Sequence, residues 1–242
     1  MSKSNFILGY PIEFEKLCLV YPPKVKEVLT APDYHAYLKM LTLTQEEIED
    51  EYSKNEMDLK DVLTPFEYVL NGAYNNAQFK VILERAFSFF IHEPIIILPE
   101  SKQIILGSLK EIKNVQELRV LDEAKFFDFQ NLIRESVGDK TVSKPDPNEH
   151  PRIKAMKAKA RLRDRIKAKQ EGLKIETVIA SISCMQMGLN PLNIGELSYA
   201  AIPILMSIYQ EQEKYRLDIE SLLAGADSKK VKPKYWIRNL ED

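Results

Sequence analysis

The residues equipped for chemistry in this 242-residue chain are few and far apart. Its histidines, His35, His92 and His150, have no cysteine or second histidine at the spacing a metal site needs. His35 falls beside Tyr34 and Tyr37 in a helical pattern, His92 lies just before Pro94, and His150 sits in a proline-rich stretch. Each reads as a surface or capping residue. The two cysteines, Cys18 and Cys184, both lie in apolar settings, and Cys184 has no adjacent base to favour a thiolate. Two buried free thiols in a reducing cytosol is therefore preferred to one long-range bridge. The sequence has no glycine-rich phosphate loop and no G-x-S-x-G, H-E-x-x-H or EF-hand pattern. Carboxylate pairs are plentiful, but none stands apart from a charged surface. The expectation is no catalytic residue, no metal and no cofactor. Catalysis would need a site assembled from distant residues.

Charge placement is more informative. Net charge is only -2, so no global field draws the chain to nucleic acid or membrane. Yet from Arg152 to Lys169 there are nine basic residues and one acid, Asp164. Ile153, Met156, Ala160 and Ile166 supply only a thin apolar strip, which predicts a helix wet over most of its circumference. Arg152, Lys154, Lys157, Arg161 and Arg165 are its candidate contacts. Such a helix could track a phosphate backbone, or meet an acidic protein surface such as the 45–52 helix of a neighbouring copy. No aromatic is interleaved to stack on bases, so a solvated or protein-facing role is preferred. The 45–52 helix carries Glu46, Glu47, Glu49, Asp50 and Glu51 behind a Thr44/Glu47 capping box. A cation site or a seat for a basic partner is conceivable there, and a solvated helix face is preferred. The second basic cluster is the tail, with Lys229, Lys230, Lys232, Lys234 and Arg238 around Tyr235 and the chain's one tryptophan, Trp236. It reads as a contact made in trans, or as a terminal clasp in which Tyr235, Trp236 and Ile237 fold onto the core.

The elements that position these groups follow from periodicity and punctuation. Residues 5–21 predict two short strands: Phe6–Leu8 leads through Gly9-Tyr10-Pro11 into Ile12–Phe14, and Leu17–Tyr21 forms the second run. Pro22-Pro23 starts a helix with Val25, Val28 and Leu29, and 33–42 is a second helix with Tyr34, Tyr37, Leu38 and Leu41 on one face. Thr64-Pro65-Phe66-Glu67 opens a helix expected to end near Asn71-Gly72. From Asn76 to Ile91 the residues Phe79, Ile82, Leu83, Ala86, Phe87 and Phe90 form a core-facing stripe. The segments 94–98 and 103–106 flank Pro99-Glu100-Ser101-Lys102 as a hairpin. Asp122-Glu123 opens a helix through Phe126, Phe127, Phe129, Leu132, Ile133 and Val137, ended by Gly138. Ile175–Met187 is a short apolar helix closed by Gly188.

Asn193, with Glu196 three positions on, is expected to cap the long C-terminal helix, with a kink or restart near Ala200–Pro203. In that helix Leu205, Ile208, Gln212, Tyr215, Ile219 and Leu222 are spaced 3, 4, 3, 4 and 3 apart. This heptad-like seam can pack on its own domain or on another subunit, and core packing is preferred. Strands without βαβ alternation give an α+β class, predominantly α-helical, with an all-helical C-terminal part. The expected organisation is a mainly helical domain over 1–138 with short hairpins and a proline-rich linker at 139–151. A helical subdomain over 152–225 and the tail 226–242 follow. No apolar run reaches the roughly 18 residues of a membrane span, and the N-terminus lacks a signal-peptide core, so a cytoplasmic protein is expected.

Several segments resemble the tail assembly chaperones of tailed bacteriophages, especially those of Gram-positive hosts. They are PNEHPRIKAMKAKARLRDRIKAKQ, CMQMGLNPLNIGELSYAAI, the Tyr209–Leu223 helix and LLAGADSKKVKPKYWIRNL. YPPKVKEV, the Leu43–Ile48 segment and FFDFQNLIR add to the pattern. The resemblance implies a non-enzymatic role in viral morphogenesis. Such a protein would bind the tape-measure protein through the N-terminal helical domain and contact tail-tube subunits through the basic-aromatic tail. It would work in the host cell cytoplasm and be absent from the mature virion, and many such chaperones occur in short and frameshifted long forms. The rival readings are a virion structural protein of the tail, neck or baseplate, and a nucleic-acid-binding protein using the 152–169 helix.

Overall fold

The computed structural model describes residues 2–54, 62–107, 118–144, 152, 153, 156, 160, 163, 175–184, 188–190 and 193–237. The chain is α+β and predominantly helical. In order come α1 (Ser2–Ile7), β1 (Ile12–Phe14), β2 (Cys18–Val20), α2 (Val25–Thr30), α3 (Tyr34–Thr42), α4 (Gln45–Lys54), α5 (Pro65–Asn75) and α6 (Ala77–Ile91). Then follow β3 (Ile95–Leu98), β4 (Gln103–Leu106), β5 (Arg119–Leu121), α7 (Glu123–Ser136), α8 (Ile175–Cys184), a 3-10 turn at Ile194–Glu196, and α9 (Ala201–Leu223). Among the described residues no helix is long and apolar enough to cross a membrane.

Local chemistry sets most helix starts. The Thr64 hydroxyl accepts from the Glu67 N–H, and the Glu67 carboxylate accepts from the Thr64 N–H, each at 3.3 Å. This capping box satisfies two donors that a helix start would otherwise leave open. Asn76 caps α6 by accepting from the N–H groups of Gln78 and Phe79 at 2.9 and 3.1 Å. Asp122 caps α7 by accepting from the Lys125 N–H at 3.1 Å.

Two expectations of local structure give way here, and a third is extended. Phe6 and Ile7 belong to α1, not to a strand, because Phe6 buries itself fully against the core from a helical turn. Leu8 follows the helix and is exposed. Helix α5 continues through Gly72 to Asn75. Gly72 is a close-approach residue rather than a terminator, since an added Cβ would lie 2.8 Å from the Phe79 ring of α6. The expected hairpin forms as β3–β4, with Ile95 opposite Leu106 and Leu98 opposite Gln103, and β5 adds a third antiparallel strand beyond it.

The core is aromatic. Helices α6 and α7 stack Phe87 on Phe129, with centroids 5.5 Å apart and planes 6° from parallel. Phe66 from α5 meets Phe126 at 5.1 Å, and Phe14 from β1 meets Phe129 edge-on at 5.5 Å. Deleting one such ring, as in Phe87→Ala, costs about 3–5 kcal/mol through lost burial and the cavity left behind. Helix α7 also ties down the end of α3. The buried Gln130 amide donates to the Leu43 carbonyl at 3.0 Å, and Arg134 donates to the Thr42 carbonyl.

A second, smaller cluster joins Val25 of α2 to Ile182 of α8, Ile194 of the 3-10 turn and Ile202 of α9. Ala200, in contrast, is buried in the main core, and Tyr199 packs on both clusters. The N- and C-terminal parts therefore interlock. Of the proline-rich stretch, residues 139–144 are described and lie along α7. Asn131 donates to the Val142 carbonyl at 3.0 Å and accepts from its N–H at 2.9 Å, and Lys144 pairs with Asp128 at 3.0 Å.

Candidate partner-binding surface

The route to the C-terminal helix is built from main-chain pairing. The Val25 N–H donates to the Leu197 carbonyl at 2.9 Å, and the Tyr199 N–H donates to the Pro23 carbonyl at 2.8 Å. They flank an antiparallel bridge between Lys24 and Ser198. Glu196 reinforces it from outside, with Lys26 Nζ at 2.5 Å and Lys24 Nζ at 2.9 Å from its carboxylate. Those hydrogen bonds, Lys26 first and then Lys24, hold the Glu196 carboxyl down to about 2.

Asn193 does not cap the long helix. Its side chain is taken by a reciprocal loop, accepting from the Asn190 N–H at 2.8 Å and donating to the Gly188 carbonyl at 3.0 Å. The Asn190 side chain accepts in return from the Asn193 N–H at 3.2 Å. The chain then makes the 3-10 turn and starts α9 afresh at Ala201. Pro203 stands in the first turn, where a missing N–H costs nothing, so the expected restart occurs without a kink inside the helix.

Among the described residues, the contacts of α9 with the two clusters are made at its start. Ala201 and Ile202 are buried and Met206 packs on the small cluster, and no described residue beyond Met206 belongs to either cluster. The seam lies outside the two described clusters and is nevertheless half-buried. Leu205, Ile208, Tyr215, Ile219 and Leu222 are half-buried and Gln212 is exposed, while Leu217 and Leu223 are 53% and 84% exposed. Along the flank, Arg216 bonds Glu213 at 2.7 Å and Glu220 at 2.8 Å, pairs at i−3 and i+4 that support the helix from its own surface.

At Gly225 the backbone takes φ +94 and the chain reverses. The Asp227 carboxylate accepts from the Lys229 N–H at 2.9 Å, and its carbonyl from the N–H groups of Lys230 and Val231. The tail returns along α9, where the Tyr235 ring sets its edge on Tyr215 at 5.6 Å and 89°. Trp236 is tilted beside Tyr235 at 6.2 Å and half-buried. Lys229, Lys230, Lys232 and Lys234 are exposed, and Arg238 lies outside the described residues. The clasp is therefore made onto α9 and not onto the core.

Of the basic helix, Arg152, Ile153, Met156, Ala160 and Arg163 have helical backbone. Arg152 is exposed, and Ile153 and Met156 are 49% and 66% exposed. Lys154, Lys157, Arg161 and Arg165 lie outside the described residues. Helix α4 is anchored by fully buried Ile48, and most of its carboxylates are half-buried rather than solvated. The Glu51 carboxylate accepts from the Tyr68 hydroxyl at 3.1 Å. That pair edges an apolar hollow of about 160 Å³ between α3 and α6, lined also by Met40, Val69 and Phe79 and sized for one aromatic or branched group.

The described histidines and cysteines lie apart from one another. His92 closes α6 in the left-handed region at φ 58 and stacks on Tyr21 at 4.1 Å. His35 is exposed beside the Tyr34 ring, and His150 lies outside the described residues. Among the described residues no three of His, Cys, Asp or Glu converge as a metal site would require. Cys18 is buried, and burial pushes its thiol up to about 12. Cys184 is exposed, correcting the expectation of two buried thiols; α8 turns Ile182 inward and Cys184 outward. Near Cys18 the Arg119 guanidinium donates to the Leu17 carbonyl at 3.0 Å and pairs with Glu93 at 2.5 Å, a tertiary brace. Glu196 and Tyr215 carried no local signal of their roles, because the partner of each is set only by the folded path. The chain matches no protein-family model, and neither a curated protein nor a solved structure matches it.

Proposed function

We propose that this chain is a non-catalytic assembly factor, a tail assembly chaperone of a tailed bacteriophage. It binds the tape-measure protein and recruits tail-tube subunits in the host cytoplasm. The supporting observation is that α9 carries a lysine-rich tail whose Tyr235 and Trp236 lie outside both described clusters. Tyrosine, tryptophan and arginine dominate interface energetics, and a flanking set of lysines steers an acidic partner. The resemblance carried by the C-terminal segments names the partners. In this reading the N-terminal helical body takes the tape-measure protein and the tail takes the tube subunit.

Co-expression with the tape-measure protein tests it. The expected result is a soluble complex that a chain lacking residues 226–242 still forms, with the tube subunit then lost. Unchanged tape-measure solubility with no complex would sink the proposal. Stoichiometric recovery of the chain from purified particles would favour a structural role in the virion instead.

A further inference from the structure

From Lys230 to Lys234 the tail alternates in exposure. Lys230, Lys232 and Lys234 are exposed, while Val231 and Pro233 between them are half-buried. A period of two is that of an extended strand with one face to solvent. Among the described residues none after Gly225 has positive φ, and Lys232, as the residue before a proline, is held extended. Successive lysines then stand about 6.6 Å apart along one face. None of the ammonium groups of Lys229, Lys230, Lys232 and Lys234 pairs with a described carboxylate.

In an extended strand the N–H and carbonyl of one residue point to the same edge, and its neighbours point to the opposite edge. Val231 and Pro233 share one edge. That edge is spent, because the Val231 N–H donates to the Asp227 carbonyl at 3.0 Å and Pro233 has no N–H. Lys232 and Lys234 share the other edge, and among the described residues their main-chain groups make no hydrogen bond. We propose that this edge receives an extended acidic segment of a partner, added as a strand with carboxylates on alternate residues opposite the lysines. Resting on the tail as a partner contact, this names the chemistry of what the tail receives. A second copy of the tail does not fit, since lysine would oppose lysine. A phosphate backbone meets the charge alone: it has no donor for the Lys232 and Lys234 carbonyls, which a peptide strand supplies.

Fluorescence anisotropy with the full-length chain tests this. The probes are labelled glutamate–threonine peptides of equal length and composition, one strictly alternating and the other with its glutamates in a single block. The alternating peptide should bind more tightly, and should lose affinity when its amides are N-methylated. Lys232→Gln with Lys234→Gln, both at exposed sites, should leave the circular dichroism unchanged. The pair should weaken binding of the alternating peptide roughly two- to thirtyfold, the range for two cross-strand ion pairs. Equal affinity for the two peptides, equal affinity after N-methylation, an unaltered affinity in the double variant, or no binding up to about 1 mM overturns the proposal. So does tighter binding of a thymidine oligonucleotide at the same salt, which would make the tail a phosphate contact. In each of those cases a tube subunit still lost on removal of residues 226–242 leaves the tail contact standing. A truncated chain that keeps the tube subunit sinks that contact, and the added strand with it.

Discussion

Gly138, just past the end of α7, lies directly against Pro203 in the first turn of α9: a Cβ added there would stand 3.1 Å from Pro203 Cγ and 3.2 Å from the Ala200 carbonyl. Gly138 also holds φ +81, which side-chain-bearing residues adopt at a cost. Gly138→Ala therefore faces strain and crowding together. The expected loss is about 1–3 kcal/mol in urea unfolding. An unchanged midpoint would show that α9 is not seated on α7.

The Glu196 carboxyl is held at about 2 against an ordinary value of 4.5. A depressed folded-state value means that the folded chain binds fewer protons between these limits. The contribution of Glu196 is then complete above about 4.5 and is lost as pH falls towards 2. Glu196→Gln should thus lower the denaturation midpoint at neutral pH, and the difference from the native chain should shrink across that window. A difference independent of pH would assign Glu196 no ionic role.

The two thiols should behave oppositely. Cys184 is exposed, while Cys18 is buried and raised to about 12. Alkylation of the folded chain should label Cys184 at once and Cys18 only on unfolding. Mass spectrometry after brief iodoacetamide treatment reads this directly, and prompt labelling of Cys18 would contradict the packing of β2.

Tail attachment predicts a protease pattern. With Tyr235 on Tyr215, the backbone at Lys234 is held against α9, and trypsin cuts after it faster when the tail lifts. Tyr215→Ala should speed cleavage there by roughly two- to tenfold, with the thermal midpoint of the core unchanged. Equal cleavage rates would mean that the tail is already free.

What sequence reasoning reached here was local. The starts of α5, α6 and α7 are written in Thr64/Glu67, Asn76 and Asp122, because a cap needs only residues within three positions. The same logic misplaced Asn193, whose capping pattern is real but whose side chain is claimed by Asn190 and Gly188. Phe6 was ambiguous because a short apolar run fits a strand or a buried helical turn equally well. β5 has three residues and no turn signature of its own, so only its pairing to β4 reveals it. The α9 seam was legible as a period, but period does not say what covers it. The lysines of the tail were legible as charge, whereas the return path that lays Tyr235 on Tyr215 depends on the reversal at Gly225.

The main-chain joint between residues 23–25 and 197–199 also defines how the molecule carries load. A pull on the tail passes along α9 to the two hydrogen bonds that flank the Lys24–Ser198 bridge, with the Glu196 ion pairs beside them. The stacked phenylalanines and the three-stranded sheet lie behind that joint and share none of its bonds. Under tension the C-terminal helix would peel away first, leaving the aromatic body folded, so the joint acts as a mechanical fuse.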